Sequence, residues 1–250
     1  MSITYFEPTV KLIGITQPLI KREGSTLTPE ESRNGVSAGD AVLTAEQFVV
    51  YVARVSNPSN KTNTATAPKL IKYLLDHGHF SPFELVNLVF EIETTRDVSR
   101  QILRHEFRPQ EFSQRYAEVD PEPAYREPRK QDHKNRQNSI PLDLTDVGHA
   151  ECDWRLGASW DQAMKDVWEF TARTYKGFLS RGIAKEQARA LLPEGLTRTT
   201  LMGNWNLRNL IFYIKSREGE DTQKEHRIVA QKIKAIVKEH FPNVSEALGW

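Results

Sequence analysis

The chain reads as an α+β protein, with an antiparallel or mixed sheet drawn early from the chain and long helices after it. Three observations predict this class. Leu88, Phe90 and Ile92 alternate with Val89, Glu91 and Glu93, the period-two pattern of a strand with one buried face. Residues 10–16 alternate less strictly and read as an N-terminal strand. The later residues carry apolar side chains at helical spacing, with no repeated strand–helix alternation and no internal repeat.

The elements follow in order. Residues 19–40 are polar and rich in Glu, Ser and Gly, and are expected to form a loop insertion. Thr44 and Gln47 stand at the spacing of a capping box, in which side chain and backbone satisfy each other at a helix start. Phe48, Tyr51, Val52 and Val55 then fall at i, i+3, i+4 and i+7, a predicted inward stripe. After a loop over 59–67, Pro68 opens a second helix with Leu70, Leu74 and Leu75 inward, and Gly78 closes it. A helix bearing Arg96, Arg100 and Arg104 is predicted from Thr94 or Thr95 to near Pro109. Residues 118–150, rich in proline and charge, read as a surface excursion. A long helix over 154–181 is predicted to bury Trp160, Ala163, Val167, Phe170 and Thr174, and a short one ends at Leu192-Pro193-Glu194-Gly195. Residues 206–217 form a helix with Leu207, Leu210, Ile211 and Ile214 inward. Thr222 and Glu225 form a second capping box, and Ile228, Ile233, Ile236 and Val237 carry the last helix.

A formal net charge of +1 over 250 residues argues against a general nucleic-acid binder, so an anionic ligand must be met by a local cluster. The lone cysteine, Cys152, lies between acids that disfavour a thiolate, and one cysteine allows no intrachain disulfide. With no signal peptide and no run of about 18 apolar residues, the expectation is a cytoplasmic protein away from membranes, in the host's cytoplasm if the source is a virus. No metal is expected: His77, His79 and His105 lack the spacing of a ligand set. There is no glycine-rich nucleotide loop.

The segment from Arg96 to Arg115 holds five arginines and no lysine. Arginine's planar fork pairs bidentately with phosphate, which a lysine cannot do. A polar run follows, with Gln110, Glu111, Ser113, Gln114 and Arg115 interrupted only by Phe112. A solvated helix face and an anion site are both consistent with this pattern. Ser56 and Ser81 read equally as helix caps, and Asn206 with Arg208 as a surface pair.

Arg104-His105 followed by Glu111-Phe112-Ser113-Gln114-Arg115-Tyr116 resembles the signature of flavin-dependent thymidylate synthases. Ala53-Arg54-Val55-Ser56, His77-Gly78-His79-Phe80-Ser81-Pro82-Phe83-Glu84, Leu192-Pro193-Glu194, Asn206-Leu207-Arg208 and Ser216-Arg217 fall in the family's order. Thr222-Gln223-Lys224-Glu225-His226 is similar to viral and cyanobacterial versions. The resemblance implies a single domain over 1–250 with loop insertions at 19–40 and 118–150, and a homotetramer with active sites shared between subunits. It implies reductive methylation of deoxyuridylate (dUMP) to thymidylate, with methylenetetrahydrofolate as carbon donor and a bound FAD reduced by NADPH, and with no metal. Gln101, Arg104, Glu111, Phe112, Ser113, Gln114, Arg115, Arg198 and Arg217 are implied as dUMP contacts, Arg198 reaching the phosphate from a neighbouring subunit and Arg217 being the catalytic one. Ser56, His79, Ser81, Glu84, Arg104, His105, Glu111, Asn206 and Arg208 are implied as FAD contacts, with His79 and Tyr116 bordering the folate and nicotinamide pocket. Three departures stand out: Glu106 replaces the third signature arginine, six residues and not seven precede Ser113, and Phe212 stands where many members have Asn or His. Arg108 is expected to supply the missing guanidinium. The alternatives are a degenerate member that binds dUMP without turnover, and a module that binds nucleotide or RNA.

Overall fold

The computed structural model describes residues 3–33, 42–120, 122–141 and 160–250. A four-stranded antiparallel sheet runs in the order β1 (Thr9–Ile15), β2 (Asn87–Thr95), β6 (Arg198–Asn206), β3 (Arg108–Glu111). Leu88, Phe90, Ile92, Leu201 and Trp205 point to one face and are fully buried. The opposite face carries Lys11, Glu91, Glu93 and Met202 and meets solvent, the alternation expected of an antiparallel sheet covered on one side. Helices α2 (Ala45–Ala53), α3 (Ala67–Asp76), α4 (Arg96–Ile102), α7 (Leu207–Arg217), α8 (Lys224–His240) and α9 (Pro242–Ala247) surround the core on the covered side. A short α1 (Pro29–Arg33) lies in the 19–40 segment, whose residues 34–40 fall outside those described. A hairpin of β4 (Arg129–Gln131) and β5 (Ser139–Pro141) interrupts the 118–150 excursion, of which 121 and 142–150 are outside the described residues. Helices α5 (Trp160–Leu179) and α6 (Lys185–Ala188) build a smaller second core around Val119, Trp168, Tyr175, Ala188 and Leu192.

The α+β class holds, but the sheet is not confined to the early chain. Its central strand β6 comes from residues 198–206, where Thr199, Leu201, Gly203 and Trp205 face inward. Only glycine fits at 203: a Cβ there would overlap the Trp205 ring and stand 2.8 Å from Phe107 Cε2. The Trp205 and Phe107 rings stack at 4.0 Å over this position.

Several predicted faces turn differently. The first capping box forms as expected, Thr44 accepting from Gln47 N and Gln47 Oε1 from Thr44 N. Yet α2 buries Ala45, Val49 and Val50, not the Phe48 stripe, because it lies against the 3₁₀ turn Ser81–Leu85 and α3; Val55 stands beyond its end. Helix α3 adds the fully buried Ile71 to Leu74, and Gly78 takes a φ of +69° as its closing residue. Helix α4 ends at Ile102, not near Pro109, since residues 108–111 leave the helix to pair with β6. Helix α5 buries Met164, Trp168 and Tyr175, while Trp160, Val167 and Phe170 are exposed: the second core lies on the other side of the helix. The predicted start of that helix at 154 lies outside the described residues. The second capping box does not form. Helix α8 starts at Lys224 with no side-chain cap, and the Thr222 hydroxyl is buried without a partner. The final helix α9 is capped from a distance by Glu46, which accepts from Val244 N at 2.9 Å and Asn243 Nδ2 at 2.7 Å.

Candidate active site

The arginine cluster survives the shortening of α4. Arg96 and Arg100, one helical turn apart, line a cleft of about 580 Å³ together with Gln114, Glu186, Arg189, Ala190, Leu192, Glu194 and Thr197. Three arginines of this region each hold an acid, and Arg189 donates from Nε to the Glu186 carbonyl. Arg96 pairs with Glu111 at 2.9 Å, and both are largely buried. Glu111 also accepts from the Thr199 hydroxyl at 3.1 Å. Arg100 binds Glu194 at 2.7 Å and Arg115 meets Glu186 at 3.4 Å, both pairs exposed. Gln114 is buried against the same cleft. Phe112 is tied to β6 by its N–H on Thr200 O, and the Ser113 carbonyl accepts from Tyr116 N and Ala117 N, which turns the chain after β3. Of these, Arg189 was not expected. Its signal was its place beside the Leu192-Pro193-Glu194 motif, but nothing local showed that it would face residues 96–115.

A second cluster forms where α4, α7 and α8 meet. Arg217, in the last turn of α7, donates from Nε to His105 Nε2 at 2.9 Å. A guanidinium can only donate, so His105 accepts at Nε2 and keeps its proton on Nδ1. Burial, Arg217 and Arg104 push His105 down to about 4, which keeps the ring neutral near pH 7. The Tyr213 ring stands edge-on to His105 at 4.8 Å. Tyr213 and His226 are both buried, with hydroxyl and Nε2 3.2 Å apart. Burial and the Arg217 charge bring His226 down to about 3, and burial pushes the Tyr213 phenol up. Gln101 completes the group: its Nε2 donates to Gln223 Oε1 at 2.7 Å and its Oε1 lies 3.3 Å from His226 Nδ1.

The remaining expected residues lie in other places. Glu84 and Arg208 pair at 3.0 Å, and the Arg208 guanidinium lies 5.6 Å from the Phe212 ring centre. Phe212 is exposed and packs on Phe80 at 5.0 Å. Asn206 caps α7 through Asn209 N, so its side-chain oxygen is already in use. His79 is exposed, with its ring 5.9 Å from Tyr73. Ser81 opens the Ser81–Leu85 turn, and Ser56 is exposed on a groove shared with Asn60, Thr66 and Lys69. Arg104 and Tyr116 are exposed. Arg198 lies away from the arginine cleft of its own chain, as a residue expected to serve a neighbouring subunit's site can: it binds Glu122 at 2.7 Å, donates to Pro123 O and lies over Phe6, beside a separate pocket lined by Phe112, Glu118 and Asp120. Among the described residues no group of three or more His, Cys, Asp or Glu could hold a metal ion.

A family model described as thymidylate synthase complementing protein matches residues 40–243. The probable flavin-dependent thymidylate synthase of Paramecium bursaria Chlorella virus 1 is 37% identical over 243 residues, covering 97% of this chain and 99% of that protein. The chain belongs to the flavin-dependent thymidylate synthase family. The family member of Synechocystis sp. is 38% identical over 242 residues, covering 96% and 99%. A solved structure of the UMP/dUMP methylase PolB from Streptomyces cacaoi, bound with 5-Br dUMP, shares the fold with a TM-score of 0.69 at 22% identity, covering 99% of this chain and 97% of that one. Within the flavin-dependent thymidylate synthase signature, Glu106 is exposed, and its carbonyl accepts from Asn209 Nδ2 at 3.1 Å. Arg108 opens β3 opposite Asn204 and is exposed.

Proposed function

We propose that the chain is a methyltransferase that converts dUMP to thymidylate by reductive methylation, taking its carbon from methylenetetrahydrofolate and using FAD that NADPH reduces. The observation that carries this reading is the cleft lined by Arg96, Arg100, Arg189 and Gln114, in a chain of this family. The exposed pairs Arg100–Glu194 and Arg115–Glu186 are each worth about 1 kcal/mol or less. A phosphate dianion displaces such carboxylates at little cost and takes the guanidinium forks bidentately. The Arg96–Glu111 pair, being largely buried, stays closed and holds the loop of Phe112, Ser113, Gln114 and Arg115 around the sugar and phosphate. Arg217, leaning on a neutral His105 and on no carboxylate among the described residues, keeps its charge for the pyrimidine. There it stabilises negative charge as C5 becomes the nucleophile.

The residues present fit a flavin. Arg208, the exposed Phe212 ring and the half-buried Phe80 ring beside it offer a cationic and aromatic surface of the kind that a ring system and its pyrophosphate need. Ser56, His79, Ser81, Glu84, Arg104, His105, Glu111, Asn206 and Arg208 would hold it, His79 and Tyr116 bordering the folate and nicotinamide. When bound, FAD supplies the electrons and hydrogen that complete the methyl group. Glu106 stays exposed and away from an anion, and Arg108 supplies the guanidinium that the signature lacks. The chain works as one domain over 1–250 and as a cytoplasmic homotetramer with shared sites. Exposed Val167 and Phe170 on α5 support such an interface. No described helix is long and apolar enough to cross a membrane.

The test is a visible spectrum of the purified protein after FAD addition and gel filtration, a dUMP titration, then thymidylate formation with methylenetetrahydrofolate and NADPH. Retained flavin bands that dUMP perturbs, together with product, support the reading. Retained bands and dUMP binding without product leave the non-catalytic alternative that Glu106 favours. Protein that takes up neither FAD nor dUMP defeats both.

A further inference from the structure

The arginine cleft and Arg217 leave one buried polar construction unexplained. Tyr213 and His226 are almost wholly enclosed, at 1% exposure each, where apolar side chains would fill the core at lower cost. Their hydrogen bonds run in one direction. The amide of Gln101 spends an N–H on Gln223 Oε1 at 2.7 Å, so the oxygen near His226 is an acceptor. His226 therefore carries its proton on Nδ1, donated to Gln101 Oε1 at 3.3 Å, and accepts at Nε2 from the Tyr213 hydroxyl at 3.2 Å. Gln223 passes the direction on, its Nε2 donating to Glu225 Oε2 at 2.9 Å. The chain is Tyr213 to His226 to Gln101 to Gln223 to Glu225, four bonds that polarise one another in the same sense.

Such a chain does what a single contact cannot. A glutamine amide can turn over and exchange its donor and acceptor ends at almost no steric cost. Here the acceptor end is held by His226 and one donor hydrogen by Gln223, leaving the second Nε2 hydrogen of Gln101 for a ligand. We propose that His226 and Tyr213 are positioning residues, which lock the Gln101 amide so that it presents an N–H, never a C=O, to an oxygen of the bound nucleotide. This rests on the reading of Gln101 as a dUMP contact. The chemistry selects for acceptor oxygens, phosphate or carbonyl, and against an amino group at the same place. The Glu225 carboxylate can only accept, which sets the direction of the whole chain. Histidine is required because its two nitrogens reach both neighbours at once, and Tyr213 is required because its hydroxyl donates to the nitrogen that is left without a proton.

The test uses the full-length protein with FAD, and three kinds of readout. Nitrogen-15 NMR of His226 is expected to show the Nδ1–H form in the wild type and a mixture of forms in Tyr213→Phe, which keeps the ring and the packing. Binding of dUMP is expected to weaken about fivefold, the equivalent of one net hydrogen bond, in His226→Leu, and by a smaller factor in Tyr213→Phe. His226→Asn, whose amide can stand in for Nδ1–H, is expected to recover most of the loss. Neither His226→Leu nor Tyr213→Phe is expected to weaken binding further in a Gln101→Ala background. Losses that add in the double variants, or dUMP affinity unchanged in both single variants, would overturn the positioning role. An Nε2–H form in the wild type would overturn the direction of the chain. A wild type that shows Nδ1–H but does not bind dUMP defeats the functional reading, and with it the nucleotide as the recipient of the N–H.

Discussion

Arg217 shows how one side chain is prepared by its neighbours. Its partner is a histidine and not a carboxylate, so the bond positions the guanidinium without cancelling its charge. Two outcomes follow. Arg217→Gln is expected to lower thymidylate formation about a hundredfold, the usual loss on removing one preorganised electrostatic donor, with the circular dichroism unchanged. In the same variant His105 is expected to titrate above its present value of about 4, because one of the two cations that depress it is gone. An NMR titration of the His105 ring checks this, and a pKa that stayed in place would mean that burial and Arg104 set it without Arg217. Arg217 and the loop over 111–115 could be singled out as candidates because they sit in short contiguous motifs. Arg189, Tyr213 and His226 could not, since each gains its place only from a residue far along the chain.

Two similar sequence patterns at helix starts end differently. Thr44 makes both bonds of its capping box, and Thr44→Ala is expected to cost about 1 kcal/mol in urea unfolding. Thr222 makes none, and its buried hydroxyl is unpaired, so Thr222→Val is expected to be neutral or slightly stabilising. Equal losses at the two positions would contradict the difference between them. The strand β6 offers a sharper case. Gly203→Ala is expected to destabilise by about 1–3 kcal/mol, the range for forcing extra atoms into a filled core, because the Trp205 and Phe107 rings already occupy the space. The strand was missed in the sequence because threonine and glycine dilute its alternation. The burial of the wrong stripe on α5 has another cause. The helix is amphipathic on two sides, and only the position of the second core selects Met164, Trp168 and Tyr175.

At the scale of the whole molecule, the buried histidine links stability to acidity. His226 titrates at about 3 in the folded chain and near 6.5 in the unfolded one. Between these values the unfolded chain holds a proton that the folded chain does not, so stability falls as pH falls. The slope is about 1.4 kcal/mol per pH unit for this one group. Asp97 adds a loss at lower pH: burial alone would raise it, but its bonds to Arg126 hold it below the usual carboxylate range, so its contribution fades as it protonates. The melting temperature is therefore expected to decline on acidification from just below pH 6.5, before carboxylates titrate. In His226→Leu that early decline is expected to be shallower, and an unchanged profile would show that His226 is not the linked group. Light scattering at four times the 28.7 kDa chain mass is the expected result for the assembled enzyme.

The sequence by itself determined the α+β class, strand β2, the inward face of α7, the first capping box, and the motifs that place the chain in its family. These are properties of neighbours: a period of two or 3.6 residues, or a cap three residues from its partner, is written in a short stretch. The tertiary structure decided which side of α2 and α5 is buried, that β6 runs through the centre of the sheet, and that Arg189 enters the arginine cleft. It also decided that Tyr213 and His226 close on Gln101. Those outcomes depend on sheet register and on which helix packs where, and such contacts join residues far apart in the chain, 125 positions for Gln101 and His226, whose meeting no local periodicity encodes.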